Sequence, residues 1–120
     1  MQLPDIARSA FDVHFLEDAV KFLERMDSKA RYKVIYNIDK ATYTRDPVLF
    51  KKLNEDIWEF RTLYQKTHYR FFAFWDKSVQ GFAQVIVTHG LMKKSGKTPR
   101  SELVKAQRVM LRYRKQKEKP

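Results

Sequence analysis

One hundred and twenty residues, 43% hydrophobic with nine Phe, six Tyr and two Trp, suffice for one modest core and exclude a disordered chain. The absence of cysteine excludes disulfide scaffolds, thiolate metal sites and cysteine nucleophiles. The net charge of +11 is lopsided: residues 93–120 hold eleven Lys/Arg against two Glu, residues 1–92 fourteen against twelve acids, a bias that suits nucleic acid or an anionic membrane surface if it is more than a solvated tail.

Residues 1–10 read as a loosely held lead-in. They lack the basic and apolar regions of a secretory leader, and no apolar run reaches the roughly 20 residues of a membrane span, so a cytoplasmic protein with no membrane partner is expected. Residues 11–15 alternate as a short strand, with Phe11, Val13 and Phe15 on one face.

A helix is expected over 17–26, with Glu17 and Asp18 in its first turn and Ala19, Val20, Leu23 and Met26 as its apolar stripe. Ser28 is placed to cap a second helix running to about Ala41, which buries Ala30, Val34, Ile35, Ile38 and Ala41. Two helices joined so tightly form a hairpin that needs a sheet to cover. Residues 42–56 read as a connector, with Leu49, Phe50 and Leu53 tucked under the sheet edge.

Three strands follow, at 57–64, 67–75 and 82–91, joined by a turn at 65–66 and a hairpin loop over 76–81, which makes an antiparallel meander. Alternation puts Trp58, Phe60, Thr62 and Tyr64 opposite Ile57, Glu59, Arg61 and Leu63. It sets His68, Arg70, Phe72 and Phe74 against Tyr69, Phe71, Ala73 and Trp75. In the last strand it sets Val85, Val87, His89 and Leu91 against Ile86, Thr88 and Gly90. Thr98 and Pro99 open a final helix whose stripe is Leu103, Ala106, Met110 and Tyr113, and residues 116–120 are expected to fray. The whole is a single α+β domain, with its core over about 11–113 and a basic tail over 114–120.

The chemistry has few candidates. His14, His68 and His89 lack metal-binding spacing, and no Gly-rich phosphate loop or GxSxG elbow is present, so neither a metal nor another cofactor is expected. Arginine, lysine and histidine near adjacent strands suffice for metal-independent RNA cleavage, which needs a base for the ribose 2′-hydroxyl, cations for the phosphorane and an acid for the leaving oxygen. Arg61 and Arg70 fall in adjacent strands, where two guanidinium groups repel unless an anion or acid lies between them. His89 is placed at the end of the last strand as an acid or base, with a satisfied strand histidine as the plain alternative. Lys93 and Lys94 are either edge gatekeepers or the start of a phosphate track that continues through Lys97 and the last helix. On that helix Arg100, Lys105, Arg108 and Arg112 are the candidate RNA contacts.

Trp58-Glu59-Phe60-Arg61, Tyr69-Arg70-Phe71-Phe72, His89-Gly90-Leu91-Met92-Lys93-Lys94 and Lys97-Thr98-Pro99 occur in that order. Over roughly residues 11–113 the chain resembles the RelE/ParE toxin superfamily, and within it the HigB-like branch related to phage proteins; Leu91 stands where that branch more often has Phe. The resemblance implies a β-α-α-β-β-β domain with a C-terminal helix, and the toxin of a type II toxin–antitoxin pair. Such toxins typically cut mRNA in the ribosomal A site without a metal. A neighbouring antitoxin, often of the helix-turn-helix type, silences them. Carried over residue by residue, Arg61 and Arg70 would contact the phosphate or transition state, His89 would be acid or base, and Lys93 and Lys94 would bind phosphate or stabilise charge. Two alternatives stand beside this: a non-catalytic toxin like the gyrase-blocking ParE branch, and a basic module that binds nucleic acid through charge alone.

Overall fold

The computed structural model describes residues 11–79 and 81–118; the expected N-terminal lead-in lies outside the described residues. The elements are β1 (Asp12–Phe15), α1 (Glu17–Arg25), α2 (Ser28–Thr44), β2 (Phe50–Lys52), β3 (Trp58–Tyr64), β4 (Thr67–Val79), β5 (Phe82–Lys93) and α3 (Arg100–Glu118). The strands form one mixed sheet in the order β1-β5-β4-β3-β2. β1 runs parallel to β5 and every other pair is antiparallel. This is the expected α+β architecture, with one more strand. No helix among the described residues is long and apolar enough to cross a membrane.

Strand alternation builds two cores, one on each side of the sheet. The first, under α1 and α2, contains Ala19, Leu23, Val34 and Ile38 with Phe60, Phe71, Val85 and Val87. The second, under α3, contains Ile57, Phe72, Phe74 and Ile86 with Ala106 and Met110. The expected stripe of α3 is the buried one, with Leu103 and Tyr113 packed at its margins. On α1 the partly buried neighbour of Leu23 is Phe22, whose ring meets Phe71 edge-on, whereas Val20 is exposed. Ile35 of α2 is exposed as well. Both stripes are narrower than expected because each helix lies on a twisted sheet rather than between two layers.

Four boundaries differ from expectation. Asp27, not Ser28, caps α2, its carboxylate accepting from Ala30 N–H at 3.2 Å. The 42–56 connector contains β2, which pairs Phe50, Lys51 and Lys52 with Phe60, Glu59 and Trp58. Its two exposed lysines hide the strand, and Phe50, stacked on Phe60 and Trp58, anchors it. The 76–81 loop is shorter than expected, because β4 continues until Val79 pairs with Phe82. Gly81 supplies the positive φ of +77° that the tight turn requires. Finally, α3 continues through Glu118 instead of fraying at 116. Lys115 and Lys117 suit the negative end of the helix dipole, and Lys117 Nζ approaches Asp76 at 3.9 Å.

The turn at 65–66 is as expected. Gln65 and Lys66 both take positive φ, the conformation that matches the strand twist in a two-residue hairpin. It fixes the register Tyr64↔Thr67 and therefore Arg61↔Arg70.

Candidate functional site

Across the α3 side of the sheet the registers stack residues in rows. Glu59, Phe72 and His89 form one row, Arg61, Arg70 and Leu91 the next, and Leu63, His68 and Lys93 the outermost. α3 covers the rows nearest the core. The segment 94–99 straps the Arg61–Arg70 row, and beyond the strap the sheet end is open.

The strap is held by a buried carboxylate. Glu59, 1% exposed, accepts from Arg70 Nη1 at 2.9 Å through Oε1 and from the Thr98 hydroxyl at 2.7 Å through Oε2. Arg70 also donates to Thr98 Oγ1 at 3.1 Å and to the Gly96 carbonyl at 2.7 Å. Arg61 reaches the same Oε1 from outside, through Nε at 3.3 Å, with its side chain 32% exposed. The acid expected between the two arginines is thus Glu59. It treats them differently: Arg70 is consumed by the fold, whereas Arg61 is held at Nε and, among the described residues, no hydrogen bond engages its two terminal nitrogens.

Arg61 lines a cleft of about 670 Å³ at the edge of β3. Lys33, Lys51, Arg61, Arg70 and His68 line it, and no Asp or Glu does. Lys93 stands across β5 from His68, its ammonium on the Lys97 carbonyl, and Lys94 Nζ donates to Thr67 Oγ1 at 3.1 Å. A second cleft, of about 590 Å³ between α3 and the β4–β5 hairpin, has Glu55, Asp56, Asp76 and Glu118 among its walls and offers a polyanion no comparable field.

His89 is not delivered to this edge. Phe72 pairs with His89 and Ala73 with Val87, so Thr88 is an extra residue, a β-bulge. The bulge reverses the alternation, and His89 falls on the face of Ile86 rather than of Val87. There it stacks on Phe72 at 4.9 Å and is 3% exposed. Its Nδ1 lies 2.8 Å from Thr88 Oγ1 and its Nε2 2.9 Å from Glu102 Oε1 on α3. Burial, which favours the neutral ring, pushes its pKa down and outweighs Glu102, which raises it. Both ring nitrogens are thus engaged, and the Thr88 hydroxyl also donates to the Phe72 carbonyl at 3.3 Å. His89 is thereby a link between sheet and helix.

The remaining candidates divide. Arg100, Lys105 and Arg108 share a shallow groove on the outer face of α3, and Arg112 is exposed one turn further on. They form a second cationic surface, separate from the cleft. The residue that sequence reasoning passed over is His68, half-buried in the cleft in the same row as Lys93 and next to the row of Arg61. Its visible signal was its place two residues before Arg70 on the same strand face.

A β-α-α meander topology capped by a C-terminal helix, with an acid-free cationic cleft at one sheet end, defines a small RelE-like protein. The chain belongs to the phage-derived Gp49-like family (DUF891), whose description matches residues 21–111. This is a family of HigB- and RelE-like toxins, and membership implies an antitoxin partner. No curated protein matches the chain.

Proposed function

We propose that this protein is the toxin of a type II toxin–antitoxin pair and a ribosome-dependent mRNA endonuclease that works without a metal cofactor in the cytoplasm. The observation that carries the reading is the Arg61 guanidinium, anchored through Nε on a buried carboxylate and presented to a cleft without acids. A guanidinium held this way keeps its paired terminal N–H groups for two phosphate oxygens, with the rotamer cost already met by the fold. Arg70 stands behind it as a positioning residue, its Nη1 donating to the same Glu59 oxygen. Lys93 and Lys94 lie along the path of the backbone, and Lys97 with Arg100, Lys105, Arg108 and Arg112 extends the cationic surface over α3 towards ribosomal RNA. His89 fixes α3 rather than meeting the substrate. A cognate antitoxin, of the helix-turn-helix type that accompanies such toxins, silences the chain.

The test is mapping of mRNA 5′ ends in cells after brief induction of the chain alone, beside Arg61→Ala. New cuts inside translated frames, absent in the variant, are expected. Growth arrest without cuts, accompanied by DNA-damage signalling, overturns the nuclease reading in favour of a gyrase-directed toxin.

A further inference from the structure

We propose that His68 is the general base of the cleft, an assignment that rests on the endonuclease reading above. A base requires an acceptor atom free to take a proton, within reach of the phosphate. The lysines and arginines of the cleft are donors and have no acceptor to offer. Glu59 is 1% exposed, and both of its oxygens are engaged. His89 is sealed, with each ring nitrogen paired. Among the described residues, no hydrogen bond holds either ring nitrogen of His68, which is half-buried against the wall of the cleft.

Its surroundings fix where it acts. Lys93 lies directly opposite on β5, Leu63 opposite on β3, and Arg61 one row inward. Gly96 of the strap comes up against the ring: a β-carbon there would lie 3.7 Å from Cε1 and 3.8 Å from Nε2. Among the described residues, the charged groups that line the cleft or stand level with His68 are cations: Arg70 on its own strand, Arg61 on β3, Lys93 on β5, and Lys33 and Lys51 on the cleft wall; the carboxylate of Glu59 lies behind the two arginines. A phosphate drawn to Arg61 brings its ribose to the imidazole.

The step balances with these groups alone. The neutral imidazole takes the proton of the ribose 2′-hydroxyl as the 2′-oxygen forms a bond to phosphorus. The bond from phosphorus to the 5′-oxygen breaks, its electron pair passing to that oxygen, which takes a proton from the Lys93 ammonium. The products are a 2′,3′-cyclic phosphate and a 5′-hydroxyl end. His68 then returns its proton to water and Lys93 regains one.

The test measures single-turnover cleavage of mRNA on programmed ribosomes by the whole chain, by His68→Gln and by His68→Ala, as a function of pH and with added imidazole. General-base loss lowers the rate by about 10²–10⁴-fold. The acid limb of the rate profile is expected to disappear in His68→Gln, ribosome affinity to stay that of the unaltered chain, and imidazole to restore part of the rate to His68→Ala. An unchanged rate overturns the assignment. So does a reduced rate with the pH profile intact and no rescue, which marks a structural role. If the unaltered chain itself leaves mRNA whole, the endonuclease reading fails and the base falls with it, a result distinguishable because no variant is then needed to see it.

Discussion

Glu59 and Arg70 face each other at 2.9 Å with side chains 1% and 3% exposed, and their pairing ties the strap at Thr98 and Gly96 to the middle of the sheet. A buried ion pair is no great source of stability compared with apolar residues of the same shape, but breaking it from one side leaves a charge in the core. Glu59→Ala is therefore expected to lower unfolding free energy by about 3–5 kcal/mol. The loss is sharpened because Arg70 Nε is already buried without a partner. The double variant Glu59→Leu/Arg70→Met is expected to recover much of it. Urea denaturation measures both, and a single-variant cost as small as that of an exposed pair would show that water reaches Arg70.

The pairing also shows what the amino-acid sequence discloses and what it conceals. Alternation alone assigned every core residue of β3 and β4 to the correct face, because both strands are regular between their ends. The neighbouring of Arg61 and Arg70 was legible because a two-residue turn counts the register outward from Tyr64 and Thr67. His89 was not, since one extra residue at Thr88 inverts everything after it, and nothing in the pattern VIVTHG distinguishes a bulge from a regular strand. His68 was hidden for another reason: its partner Lys93 is 25 positions away, and only the β4–β5 register brings them level.

The burial of His89 makes stability depend on pH. Burial holds the folded-state pKa of His89 below its ordinary 6.5, so between those values the unfolded chain binds more protons than the folded one. The contribution is complete above about 6.5 and is lost as pH falls through the folded value. Denaturant midpoints measured from about pH 7 down to about pH 5 are expected to fall for the unaltered chain and to flatten in His89→Gln. An equal slope in both would assign the effect to carboxylates elsewhere.

Gly90 leaves room on the sheet for the Phe22 ring of α1. A β-carbon at this position would lie 2.7 Å from Phe22 Cδ1 and 2.9 Å from Phe71 Cε1, inside any permitted contact. Both rings are held edge-on to each other at 5.4 Å, so neither can withdraw without disturbing the other. Gly90→Ala is expected to cost about 1–3 kcal/mol through overpacking. Combining it with Phe22→Leu, which empties part of the contested space, should return some of that loss in a thermal melt; a strictly additive pair would place the strain in the backbone instead.

At the far end of the sheet Tyr113 donates to Asp76 Oδ2 at 2.6 Å, and the Ser78 N–H donates to Oδ1 at 2.9 Å. Burial by itself would raise the Asp76 pKa, but these bonds outweigh it and hold the carboxyl at about 2 instead of 3.8. Burial, helped by the same contact, raises the Tyr113 hydroxyl to about 12. A depressed carboxyl stabilises the fold above its unfolded pKa, here by about 2 kcal/mol, and that contribution is lost as pH falls through the folded value. Tyr113→Phe keeps the ring that packs edge-on against Phe74 at 5.3 Å and removes only the hydroxyl. It is expected to cost about 1.5–3 kcal/mol at neutral pH, the worth of a hydrogen bond to a charged group. As pH falls towards 2 Asp76 protonates and the cost shrinks, so the two chains should converge in acid. A deficit that stays constant down to the acid limit would mean that the phenol acts through packing, and that something other than this hydrogen bond pins the end of α3 to the β4–β5 hairpin.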